Sequence, residues 1–225
     1  MRGDVEGRGG QGCTVEVIEI SGSRGFYYDD ARSLDRWNRE WSQSTPAAWS
    51  LIYSAPFFAY RNTNLVANDR ATLMSFVPSR DREITAKIRT SDIVNDGIGI
   101  YLRKSRTTLE ADQSSVLWNY YNGNHVILVY DAGAFVVLAT AALVLVANSW
   151  YNVKLRAQGQ TFRAKVWLLG TAEPNWQLTT YMTRQQARGQ DIGQSTICLR
   201  AGGTLAGLRD YADLRVSPVR KVGGP

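Results

Sequence analysis

The stretch from Trp150 to Leu168, "WYNVKLRAQGQTFRAKVWL", limits what this chain can fold into more than any other. Val153, Leu155 and Ala157 alternate with Lys154, Arg156 and Gln158; after Gly159, Phe162, Ala164, Val166 and Leu168 alternate with Arg163, Lys165 and Trp167. Successive side chains of a strand point to opposite faces. The pattern therefore predicts two antiparallel strands around a tight turn, one face in a core and the other in water. "REITAKIRT" (82–90) repeats it, with Ile84, Ala86 and Ile88 facing in and Glu83, Thr85, Lys87 and Arg89 facing out. Trp167 falls on the wet face. A large aromatic there is a platform for a ligand, a contact with another protein, or an edge residue packed against its neighbours in the sandwich.

Other short segments also have strand character. They are "TVEVIEI" (14–20), "WSLIYS" (49–54), "ATLMSFV" (71–77), "GIGIYLRK" (97–104), "SVLWNYY" (115–121), "HVILVYD" (125–131), "STICLRA" (195–201) and "YADLRVS" (211–217). Turn residues separate them, among them Asn95-Asp96-Gly97, Asn122-Gly123-Asn124 and Gly202-Gly203. The apolar run from Phe135 to Ala147 is shorter than the ~20 residues of a bilayer-spanning helix. It reads as two buried strands bent near Thr140-Ala141-Ala142. Only Ala31–Ser42 has a helical look. A dozen or so short strands predict an all-β, two-sheet antiparallel sandwich or a barrel.

In 225 residues there is room for one full core without staples. The formal charge of +6 comes from scattered basic residues, mostly Arg. Scatter argues against a nucleic-acid face and leaves room for a weakly held anionic partner. Two cysteines, Cys13 and Cys198, and the single His125 lack the spacing of a zinc site. The two cysteines read as buried thiols, with a disulfide between them left open. No apolar stretch in residues 1–12 has the form of a signal peptide, and no membrane association is expected.

Residues 148–179, "NSWYNVKLRAQGQTFRAKVWLLGTAEPNWQLT", resemble the back half of the concanavalin A-like lectin/glucanase jelly rolls, nearest to the laminin-G-like and glucanase-like modules. A Trp-Tyr enters a strand, a Gly turns it, the return strand ends in Trp, and Glu-Pro and another Trp follow. "YYDDARSLDRWNREWS" (27–42) is similar to the opening of such modules and "LRDYADLRVSP" (208–218) to their last strand. The resemblance implies a jelly-roll β-sandwich with one concave and one convex sheet over residues 26–217. A Gly-rich arm with one strand (1–25) precedes it and a C-terminal arm (218–225) follows. It also implies a structural calcium, which would fall to Asp29, Asp30, Asp210 and Asp213; the alternative is that these are strand-edge and turn aspartates.

Catalysis does not carry over. The glucanase members need carboxylates that alternation puts on one face, flanking the glycosidic bond. Glu16 and Glu19 are three apart and point oppositely on a regular strand; Asp81 and Glu83 share a face only at a strand entrance. No catalytic residues are assigned. Tyr101, Trp118, Tyr121 and Trp167 are the candidate glycan-stacking or interface aromatics. Modules of this class recur in phage tails, fibres and capsid surfaces. With arms suited to draping over neighbours, the leading expectation is a non-enzymatic structural or decoration subunit of a phage virion. It would assemble in the host cytoplasm with other subunits and with copies of itself, with a glycan-binding surface as an added feature. A stand-alone lectin-like carbohydrate-binding module is the alternative, and a divergent glycoside hydrolase the third reading.

Overall fold

A computed structural model describes residues 27–29, 31–32, 41–63, 69–73, 81–94, 96–104, 115–131, 134–183, 196–203 and 207–219. In chain order the first strands are β1 (Tyr27–Asp29), β2 (Trp41–Gln43), β3 (Trp49–Ser54), β4 (Phe57–Asn62) and β5 (Asp69–Leu73). The middle of the chain forms β6 (Arg82–Thr90), β7 (Asp96–Lys104), β8 (Ser115–Tyr121), β9 (Asn124–Asp131) and β10 (Ala134–Ala142). The last third adds β11 (Tyr151–Gln158), β12 (Thr161–Leu168), β13 (Leu178–Tyr181), β14 (Thr196–Gly203) and β15 (Arg209–Pro218). One 3-10 turn, Pro46–Ala48, is the only helical element among the described residues.

Two antiparallel sheets result. The first runs β13-β12-β11-β6-β15-β4-β3, with β1 also on β15; the second runs β10-β9-β8-β7-β14-β5-β2. This is a jelly-roll sandwich. The hairpin expected at Gly159 forms. Gly159 takes φ 56°, the positive value that a two-residue hairpin turn asks of its first position, and Gln158 pairs with Thr161. Its inward residues Val153, Leu155, Ala157, Phe162, Ala164 and Val166 are buried in one core with Ile84 and Ile88 of β6. From the second sheet Ile98, Ile100, Trp118, Ile127, Val129 and Leu199 close on them. Tyr211 of β15 ties the sheets together: its hydroxyl donates to the Arg200 carbonyl and accepts from the Gly99 amide at 3.4 Å.

On the outer face of the second sheet, β7 and its neighbour β14 are each kept small at one position. A Cβ at Gly99 would lie 2.9 Å from the Trp118 carbonyl oxygen, and one at Gly202 would lie 2.8 Å from the Arg200 guanidinium. Glycine there lets Arg200 lie flat along the sheet and donate to Asn119 Oδ1 at 3.0 Å.

Three expectations change. The apolar run 135–147 is not two buried strands. Residues 134–142 form the single strand β10, followed by a strand-free stretch. Among the described strands β10 is the outermost of its sheet, so it has one neighbour, β9, rather than two. Leu138, Ala139, Ala141 and Leu143 lean on the core, while Val137, Val144 and Val146 face solvent. The Leu138 carbonyl accepts from Thr180 Oγ1 of β13 at 3.1 Å, which links the two sheet edges. Leu168 is exposed rather than inward, because it lies where β12 leaves the sandwich. Trp41 and Ser42, read as helical, belong to β2; residues 33–40 lie outside the described residues. So do the N-terminal arm (1–25), with the expected strand 14–20, and residues 220–225 of the C-terminal arm (218–225); of that arm, Pro218 closes β15 and the Val219 amide donates to the Asp81 carbonyl at 3.0 Å.

Candidate functional site

The outer face of the first sheet carries a groove of about 290 Å³ with Trp167 in its wall. Strand register explains the rest of the lining. Asn152 of β11 stands between Lys87 of β6 and Trp167 of β12, and Lys154 stands between Thr85 and Lys165. All are outward positions of the alternation that fills the core on the other side. Trp167 is half-buried, its ring centroid 6.0 Å from Lys165 Nζ.

Asp213 and Arg215 complete the groove, and they depend on an irregularity. Pairing of β15 with β6 shifts between Ala212 and Arg215, and Asp213 takes φ 46°. A bulge of this kind re-aims side chains. Strict alternation from the outward Asp210 would turn Asp213 into the core. The bulge instead brings it to the outer face, where Lys87 and Arg215 both donate to it.

The far wall comes from the turn after β12. Glu173 accepts from Lys154 at 2.6 Å and pairs with Lys165 at 2.7 Å. Lys165 also donates to the Pro174 carbonyl at 3.0 Å and lies 4.6 Å from the Trp176 ring. Gln177 fixes the end of this turn by bonding both backbone groups of Val166, at 2.8 and 3.0 Å.

Each groove carboxylate is thus bracketed by two cations. Hydrogen bonds from Lys154 and then Lys165 hold the Glu173 carboxyl below its ordinary range. Burial alone would raise Asp213; the Lys87 hydrogen bond and the Lys87 and Arg215 charges outweigh it, so Asp213 too is lowered. Both stay ionised at neutral pH. A glycosidase acid has to keep its proton, which needs the opposite shift. Asp81 and Glu83, the other carboxylates that share a face, hold the Gly159 amide at 2.7 Å and the Arg156 guanidinium at 2.8 Å.

The four aromatics picked from the sequence do not meet. Trp167 is in the groove. Trp118 is fully buried between the sheets, since "SVLWNYY" is buried on both faces. Tyr101 points to the outer side of the second sheet and is buried there beside Leu117 and Cys198. Tyr121 is exposed at the end of β8. Trp118 and Tyr101 are therefore not surface platforms.

Nor do the aspartates make a calcium site. Both oxygens of the buried Asp210 accept from Arg61 and Arg89, and Asp213 is taken by Lys87 and Arg215. A hard cation would have to displace four positive groups, which does not fit. Asp29 lies opposite Leu214 in β1, and Asp30 is outside the described residues. No cluster of three or more metal-binding side chains occurs among the described residues.

No protein-family model and no curated protein matches the chain. Solved structures do match. The exoplasmic/lumenal domain of VIP36, in a form bound to Ca2+ and Man3GlcNAc, superposes with a TM-score of 0.62 at 11% identity, over 88% of this chain and 93% of that one. Lectin II from Ulex europaeus gives 0.60 at 9% identity, over 87% and 98%. Carbohydrate binding module CBM66 from Bacillus subtilis gives 0.56 at 10% identity, over 79% and 95%. The fold is that of the lectin-like jelly rolls.

Sequence reasoning found Trp167 and missed Lys87, Asn152, Lys154, Glu173 and Arg215. All but Glu173 lie on strands, and the alternation that exposed Trp167 also put Lys87, Asn152 and Lys154 on the wet face. What it lacked was which strands are neighbours.

Proposed function

We propose that this chain is a carbohydrate-binding module that holds sugar in the Trp167 groove without cleaving it. The observation that carries the reading is the juxtaposition of a half-buried indole with Asn152, Lys87, Asp213 and Glu173. A pyranose has one flat C–H face and a rim of hydroxyls. An indole offers the first a stacking surface. Amide, ammonium and carboxylate groups offer the rim donors and acceptors. The lectin-like fold of the solved relatives supports this reading. A virion role, a homo-oligomeric assembly and a cytoplasmic site of assembly draw no support from those relatives. Of the arms that would drape over neighbouring subunits, residues 1–25 and 220–225 lie outside the described residues.

A glycan array probed with the isolated protein tests it. Trp167→Ala is expected to weaken the best hit at least tenfold, about 1.4 kcal/mol, while far-ultraviolet circular dichroism stays unchanged. Absence of binding to every glycan, or full retention by Trp167→Ala, would sink the reading. Release of reducing ends from the bound glycan would overturn the non-cleaving part alone.

A further inference from the structure

The charged side chains that line the groove are engaged with one another. Lys87 and Arg215 donate to Asp213; Lys154 donates to Glu173, which also pairs with Lys165. These two groups of ion pairs brace the walls. One ties β6 to the bulge of β15, and the other ties the turn after β12 to β11 and β12. Three polar groups of the lining are not engaged. The Asn152 carboxamide, the Thr85 hydroxyl and the Trp167 indole N–H make no hydrogen bond among the described residues. Asn152 and Thr85 are both half-buried.

Register sets the three close together. Asn152 is the cross-strand partner of Trp167 on one side and of Lys87 on the other, and Thr85 is its diagonal neighbour on β6. Side chains directly opposite start about 5 Å apart and diagonal ones about 7–8 Å apart. One pyranose ring lying on the indole can therefore meet Asn152 and Thr85 at once.

The chemistry of these groups suits hydroxyls better than an anion. A carboxamide sets an acceptor oxygen beside two N–H donors, and a threonine hydroxyl both donates and accepts. Two neighbouring sugar hydroxyls match the carboxamide, one donating to Oδ1 while the other accepts from Nδ2. A ligand carboxylate only accepts, so it would take Nδ2 and set a second acceptor against Oδ1. Half-buried groups of this kind also discriminate, because a sugar that lacks or inverts the hydroxyl leaves them unpaired.

Resting on the carbohydrate-binding reading above, we infer that the groove takes a neutral sugar, that Asn152 and Thr85 select it, and that the feature they read is a pair of hydroxyls on adjacent ring carbons.

An array of glucose-, galactose-, mannose- and N-acetylglucosamine-bearing glycans, printed beside uronate, sialylated and sulfated ones, tests this on the whole chain. The strongest binding is expected among the neutral glycans. Isothermal titration of the strongest should give an affinity that changes less than about twofold between 50 and 300 mM sodium chloride, since the ligand has no charge to be screened. Asn152→Ala and Thr85→Val, both at outward positions, are each expected to weaken that glycan about fivefold, the share of one neutral hydrogen bond. Both should also change the order of preference among the neutral glycans, whereas Trp167→Ala should weaken them all in the same order. Strongest binding by a charged glycan, lost at 300 mM salt, would overturn the neutral assignment and leave carbohydrate binding intact. Unaltered affinity and order in both variants would remove Asn152 and Thr85 as the selecting pair. Absence of binding to every glycan would instead strike the proposed function.

Discussion

Replacing Asp210 with alanine is expected to cost the fold about 3–5 kcal/mol, the range found when one partner of a buried ion pair is removed. The side chain is 1% exposed and stands on β15 directly between Arg61 of β4 and Arg89 of β6. Arg61 reaches both of its oxygens, at 2.8 and 2.9 Å, and Arg89 adds a bond at 2.9 Å. Three strands of the first sheet are laced through one carboxylate. The Asp210 hydrogen bond, against some desolvation, raises the Arg61 guanidinium above its usual value, so the cation itself gains from the arrangement. Alanine would leave two guanidinium groups facing each other across the gap, one of them 5.0 Å from the Trp150 ring. Asparagine keeps the size and one acceptor and should cost roughly half as much. Urea denaturation of both variants measures the effect. A loss below about 1 kcal/mol for Asp210→Ala would show that the triad contributes little.

Acidification is the second large effect. His125 is buried beside Ala141 and Tyr120, its Nδ1 has no hydrogen-bond partner among the described residues, and burial lowers its pKa to about 4. Between that value and the ordinary one near 6.5, the unfolded chain binds a proton that the native chain refuses. Stability therefore falls as pH drops through this window, by up to about 3 kcal/mol. Asp213 and Glu173 act in the same direction at lower pH: their contribution is full above the unfolded carboxylate range and is lost as pH falls through their depressed folded values. Unfolding free energies at pH 7 and pH 4.5 should show the loss, and His125→Leu should remove most of it. Equal stability of the natural chain at the two pH values would mean that His125 is not held neutral.

The amino-acid pattern gave away those parts of the fold where one face is wet. β6 and β11 follow the alternation read from the sequence; β12 keeps its inward set as far as Val166, with Lys165 covered and Leu168 exposed, and Trp167 points outward as the alternation required. The Asn122-Gly123 turn joins β8 to β9, both residues at positive φ, as that dipeptide suggests. Where both faces are covered the pattern loses its phase: six successive residues of β8 are buried, so nothing in "SVLWNYY" says that Trp118 faces the core. Nor can composition tell an edge from a centre. β10 is apolar enough for a middle strand and sits at the rim. Asp213 was noticed for its oxygens, but the bulge that turns it toward Lys87 is a property of its pairing with β6 and is invisible in "YADLRVS".

The Gln177 side chain has a consequence for how the groove can be watched. β13 pairs with β12 only as far as Ala164, so among the described residues no strand lies beside Val166 on that edge. Its amide hydrogen is sheltered by one carboxamide, at the end of the segment that carries Glu173 and Trp176. Solvent exchange of that single amide therefore reports whether the wall is seated. A ligand that holds Glu173 in place will slow it, and a ligand that stacks on Trp167 alone will not.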